Sequence, residues 1–210
     1  MEDFTIFNSF IHKSRLEYDK KNELIELIKN NYKKNPHKTP KGWNCTVHST
    51  YGQRNTIPKD LTKIIENKCN EFLDNYKEQL MIKGEYYLNN IWYNAYKGNQ
   101  FQEPHTHGDS LFSGCYYLKF NKDVHHQTIF YNPNFDLNFS KIEDNPYFVY
   151  ELDCQEDDII FFPSSLKHST KGIKNNTTDE MRITISFNVA HSLLEFKNLK
   201  NINNKKFVYN

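Results

Sequence analysis

Two histidines stand two positions apart in Pro104-His105-Thr106-His107-Gly108-Asp109-Ser110, and a third, His168, follows the distant run Phe161-Phe162-Pro163. In an extended segment, alternate side chains point to one face, with Cα atoms about 6.6–6.8 Å apart. Two imidazoles so placed can converge on one ion, with a third donor arriving from a neighbouring strand. Imidazoles with a carboxylate and open positions suit non-haem Fe(II). Two ligand sets are open at this point. His105, His107 and His168 give a three-histidine site; His107 with Asp109 gives a His-x-Asp pair, which His168 completes.

Arg182 heads the run Arg182-Ile183-Thr184-Ile185-Ser186-Phe187-Asn188-Val189-Ala190. Strand alternation puts Arg182, Thr184, Ser186 and Asn188 on one face and Ile183, Ile185, Phe187 and Val189 on the other. The polar face suits a cavity lining and the apolar face suits packing. A guanidinium fork binds a carboxylate through two parallel hydrogen bonds, and the Thr184 hydroxyl adds a donor. Tyr117, on the face of Ser113 and Cys115, is placed to donate to the same carboxylate. Arg15, Arg54 and Arg182 are the three arginines of a chain that otherwise uses lysine. A histidine cluster followed by such an arginine is the pattern of an iron site that holds a 2-oxoacid. Each feature has a plainer reading alone: a solvated loop histidine, or an Arg182 ion pair with Asp179 or Glu180. Their combination favours the site. His125-His126, His12, His37, His48 and His191 lack such partners and are read as solvated.

These residues need a scaffold. Helical spacing of apolar residues covers 17–33 (Leu24, Ile25, Ile28, Tyr32) and, more clearly, 58–81 (Leu61, Ile64, Ile65, Cys69, Phe72, Leu73, Tyr76, Leu80). Pro58 fits the first turn of the second helix. After Gly84 the pattern turns to short strands: 85–96, 112–120, 128–131, 147–154, 158–162 and 182–190, with 43–50 as an earlier candidate. Asn, Pro, Gly and Asp separate them, and Lys171 to Glu180 reads as an extended hairpin. The expected fold is mainly β, a double-stranded β-helix (jelly roll) with N-terminal α-helices packed against it. One domain is expected over 1–210, with a helical N-terminal segment over 1–83, a jelly-roll core over 84–192 and a polar tail over 193–210. Lid candidates are 132–145 and 52–56.

Composition narrows the partners. Net charge is +1, from 27 Lys+Arg and 26 Asp+Glu, which gives no electrostatic case for a nucleic-acid or acidic-membrane binder. Cys45, Cys69, Cys115 and Cys154 show no zinc spacing and read as small apolar residues of a reducing compartment. The N-terminus lacks a signal-peptide pattern, and no apolar run is long enough to span a membrane. The expected location is the cytoplasm, of a host cell if the chain is phage-encoded.

The segment His105 to Leu118, HTHGDSLFSGCYYL, resembles the hallmark HxHxxSxxSGxYYL of phage and bacterial members of the 2-oxoglutarate/Fe(II)-dependent oxygenases, in the prolyl-hydroxylase-like branch. Trp92-Tyr93-Asn94, Phe130-Tyr131-Asn132-Pro133, Phe162 to His168 and Arg182 to Asn188 extend the resemblance over residues 88–190. It implies Fe(II) on His105, His107 and His168, 2-oxoglutarate held by Arg182 and Tyr117, O2 as co-substrate and a hydroxylase-type reaction. The chain departs from the superfamily in carrying His107 where a carboxylate ligand is usual, with Asp109 as the alternative carboxylate. The competing class is a cupin-like jelly-roll module that binds metal or ligand without oxygenase chemistry.

Overall fold

A computed structural model describes residues 9–80, 85–108, 110–134, 148–174 and 180–192. Ten strands and two helices run in the order β1 (His12–Arg15), α1 (Lys21–Lys34), β2 (His48–Ser49), α2 (Lys59–Leu80), β3 (Tyr86–Lys97), β4 (Gln102–His105), β5 (Phe112–Lys119), β6 (Thr128–Tyr131), β7 (Val149–Glu151), β8 (Asp158–Pro163), β9 (His168–Thr170) and β10 (Met181–His191). They form a six-stranded sheet, β1-β8-β5-β10-β3-β2, and a four-stranded sheet, β4-β9-β6-β7. Every strand pair is antiparallel. The result is mainly β, a jelly roll with two helices on it.

Strand alternation divides the core. Ile159 and Phe161 of β8, Tyr116 and Leu118 of β5, and Ile183, Ile185 and Phe187 of β10 pack with Leu24, Ile28, Leu61, Ile65 and Phe72 of the helices. Their neighbours Ile160, Phe162 and Tyr117 face inward with Phe120, Phe130 and Leu166. The middle of the large sheet is thus covered on both faces, and β8 (DIIFFP) reads as a near-continuous apolar run. Gly114 permits the closest approach: a Cβ there would lie 2.2 Å from Phe187 Cζ and 2.7 Å from the Ile160 carbonyl oxygen.

α2 matches its expected span to within a residue, and its first turn follows Pro58. α1 starts later than expected. Leu16 and Tyr18 are buried, the Leu16 N–H donates to the Asp157 carbonyl at 2.9 Å, and Lys21 N–H turns back to Tyr18 O at 3.0 Å. Tertiary burial of these two residues delays the helix. Of the strand expected over 43–50, only His48–Ser49 is extended. Three strands escaped periodicity altogether: β1 (HKSR), β4 (QEPH) and β9 (HST). All are short and polar. The tail 193–210, most of the lid candidate 132–145, and 175–179 of the hairpin lie outside the described residues.

His48, His125 and His191 are not solvated: they are 1 %, 0 % and 2 % exposed. His48 Nδ1 lies 2.7 Å from the Asn35 carbonyl and its ring stacks on Tyr93. His125 Nδ1 accepts the Asn121 N–H at 3.0 Å. His191 ends β10 with its ring edge-on to Tyr86. Each has a local partner that spacing could not display.

Candidate metal centre

β4 and β9 bring the histidines together. Their register opposes His105 to His168. His107 lies just beyond β4, where its N–H donates to the Ser164 carbonyl at 2.8 Å. One ligand atom from each of the three histidines lies within 4.8 Å of the others. The rings sit 4.3 Å (His105–His168), 5.1 Å (His105–His107) and 5.1 Å (His107–His168) apart.

The outward nitrogen of each ring is committed. His105 Nδ1 pairs with the Glu103 carbonyl at 2.8 Å and His168 Nδ1 with the Leu166 carbonyl at 2.9 Å. His107 Nδ1 pairs with Asn188 Oδ1 at 2.6 Å, and Ser113 Oγ donates to the same amide oxygen at 2.9 Å. Carbonyl acceptors place the proton on Nδ1, so the Nε2 lone pairs are left to converge. His105 Nε2 accepts the Gln102 side-chain amide at 3.2 Å, which agrees with that tautomer; a metal bound at Nε2 would replace this bond. Outer partners of this kind fix metal-binding histidines in orientation and raise their basicity. Burial also lowers the pKa of all three. His107 falls to about 4, and the neighbouring His105 and His107 add to the depression at His168. At neutral pH the trio is uncharged and able to donate to a cation. The donor set therefore fits a divalent transition metal. Asp109, the alternative carboxylate, lies outside the described residues.

Arg182 is 2 % exposed at the start of β10. Its Nη2 donates to Thr128 Oγ1 at 3.0 Å, while Nε and Nη1 are buried without a partner among the described residues. Among the described residues it has no ion pair, with Glu180 or any other acid. Tyr96, Tyr117 and Phe120 surround the guanidinium at 5.3–5.5 Å. A buried cation with two idle donors is costly unless an anion joins it. Arg182, Thr184, Thr128 and Tyr96 line one narrow cavity together with His105, His107 and His168. The donor set suits a small dicarboxylate: candidate metal ligands and a buried arginine share one cavity. Tyr117 stands behind this lining, its hydroxyl 2.7 Å from Thr128 Oγ1.

Several site residues escaped the sequence reading. Thr128 and Tyr96 lacked any chemical motif. Asn188 was visible as sharing a face with Arg182, but its bond to His107 joins β10 to the segment after β4, a strand of the other sheet. A second cavity of about 300 Å³ shares Trp92, Gln102, His105 and His107 with the narrow one and extends to Trp43, Tyr51 and Glu103.

Residues 90–188, 99 of the 210, match the model of the family described as "Putative 2OG-Fe(II) oxygenase". No curated protein matches the sequence. Among solved structures, the fold is similar to a viral collagen prolyl hydroxylase from Paramecium bursaria Chlorella virus-1, solved with 2-oxoglutarate. That match has 18 % identity, covers 85 % of this chain and 94 % of that one, and has a TM-score of 0.52. It is also similar to a Trichoplax adhaerens prolyl hydroxylase (16 % identity, 90 % and 86 % covered, TM-score 0.57). HygX from Streptomyces hygroscopicus, solved with nickel and 2-oxoglutarate, is another likeness (10 % identity, 88 % and 84 % covered, TM-score 0.59). At these identities the structures speak for the fold alone, and the family model matches just under half of the chain.

Proposed function

We propose that this chain, a 2-oxoglutarate/Fe(II)-dependent oxygenase by its family match and its jelly roll, is a hydroxylase whose iron sits on His105, His107 and His168. The observation that carries the assignment is one cavity lined by three converging neutral imidazoles and a buried, under-bonded arginine. When bound, Fe(II) and 2-oxoglutarate supply the oxidising chemistry: O2 is consumed, 2-oxoglutarate becomes succinate and CO2, and a substrate C–H gains an oxygen.

The protein's own residues do the positioning. Arg182 holds the distal carboxylate with its idle Nε and Nη1, and Thr128 fixes the guanidinium plane from Nη2. Tyr117 acts through Thr128, and Thr184 offers a hydroxyl from the same wall. Asn188 and Ser113 hold the His107 ring in the tautomer that aims Nε2 inward. The aromatic surround of Arg182 keeps water from competing for the carboxylate. The even charge of the chain supports a prime substrate other than a nucleic-acid polymer. Four free cysteines support a reducing, cytoplasmic setting. No helix of the described residues is long and apolar enough to cross a membrane.

The test is an anaerobic titration of the Fe(II) protein with 2-oxoglutarate, read by the visible metal-to-ligand charge-transfer band. A saturating band is expected, lost in His168→Ala and weakened in Arg182→Ala. Stoichiometric iron without a band would favour the cupin-like module instead.

A further inference from the structure

The wider cavity carries an inference that rests on the oxygenase reading and deepens it. Among the described residues no lysine or arginine lines this cavity, whereas Glu103 does. Glu103 Oε1 accepts the Asn44 N–H at 3.0 Å. The Cys45 thiol and the His105 ring are its other polar neighbours, and Oε2 is buried without a conventional hydrogen-bond partner among the described residues. At the boundary with the narrow cavity, Trp92 Nε1 is likewise buried, a donor without an acceptor among the described residues. Aromatic rings form much of the wall: Trp43 and Tyr51 are 5.3 Å apart, and Tyr51 meets Trp92 edge-on at 5.0 Å. The register shift at Asn188/Val189 leaves Asn89 unpaired on β3, so consecutive residues Asn89 and Asn90 both reach the cavity.

Charge bookkeeping decides what this chamber accepts. Three neutral imidazoles leave the charge of a divalent ion to the 2-oxoglutarate dianion. The Glu103 carboxylate is then surplus negative charge at the cavity wall. An anion brought beside it would find no lysine or arginine among the described lining residues. An entirely apolar guest would leave the asparagine amides and the two orphaned atoms unsatisfied. A cation among aromatic faces, beside a carboxylate, is favoured by both.

We propose that the prime substrate carries an ammonium group, seated by Glu103 and the Trp43–Tyr51 wall, with polar hydroxyl or amide groups against Asn89 and Asn90. A free amino compound and a basic side chain in a peptide offer this same chemistry, and the probes separate them.

The experiment uses full-length protein loaded with Zn(II), which cannot turn over, at saturating 2-oxoglutarate. Binding is read by ligand-detected NMR for two matched series. One is glucosamine, N-acetylglucosamine and glucuronate. The other is a blocked tripeptide with central lysine, norleucine or glutamate. The amine member of at least one series is expected to bind about tenfold or more tighter than its neutral and acidic counterparts. Glu103→Gln is expected to erase that preference while 2-oxoglutarate still binds, which also reports folding. The series that responds identifies the source. No binding by either amine, equal or tighter binding of the neutral or acidic members, or a preference that survives Glu103→Gln would overturn the proposal. In those cases a normal 2-oxoglutarate titration leaves the oxygenase reading standing. Failure of 2-oxoglutarate itself to bind would bring down both.

Discussion

At the level of single residues, the site depends on which nitrogen of each histidine is held and by what. Asn188 accepts from His107 Nδ1 at 2.6 Å, so Asn188→Ala removes an outer partner and leaves Ser113 Oγ, 2.8 Å from the same nitrogen, to hold the ring. Metal affinity is expected to fall about 10–100-fold, measured by competition with a chelator. Arg182→Lys keeps the charge and loses the fork. Its 2-oxoglutarate affinity is expected to drop about tenfold or more, since hydrogen bonds to charged groups are worth about 1.5–3 kcal/mol. Under the three-histidine assignment, Asp109→Ala retains iron and His105→Ala loses it; the reverse result would make Asp109 the ligand. Residue type and spacing single out His105, His107, His168 and Arg182, which the structure places along one cavity. They do not single out Thr128 and Tyr96, because a hydroxyl or phenol becomes a ligand-site residue only through what it faces.

At the level of elements, the informative strands are the polar ones. β4 and β9 have no apolar alternation, so periodicity passes over them. Yet their pairing is what sets His105 opposite His168. Backbone hydrogen bonding supplies their register, and no side-chain pattern announces it. β10 is the opposite case: its alternation gave both the polar wall with Arg182 and the apolar face against the helices. Where β5, β8 and β10 approach most closely, Gly114 admits no side chain. Gly114→Ala drives a methyl into the Phe187 ring and the Ile160 carbonyl, and is expected to destabilise by about 1–3 kcal/mol or more. Thermal denaturation checks it, with a clear fall in Tm as the expected result. Alanine matching the parent would mean that the strands can separate at little cost.

For the molecule as a whole, burial of uncharged histidines predicts a pH response. The pKa values of His107 and His125 are pushed down to about 4, and those of His48, His105 and His168 are lowered, with burial the leading cause in each. In the unfolded chain these groups titrate near 6.5. Between about 6.5 and 4 the unfolded state binds more protons than the folded one, so metal-free stability rises with pH there. Stability is fully present above the unfolded value and is expected to fall progressively as pH drops through that window. Urea midpoints of the metal-free protein across the window check this, and a flat profile would contradict buried neutral histidines. By itself the sequence determined the fold class, the long helix, the main apolar strands and the ligand-type residues. Those follow from local spacing and side-chain chemistry, which a chain displays in order. Only the tertiary structure decided that His48, His125 and His191 are interior, that α1 begins after Tyr18, that Thr128 holds Arg182, and that a cavity with Glu103 joins the metal centre. Each of these depends on strands remote in sequence pairing in one register, and the energy that selects a register belongs to the packed sheets together.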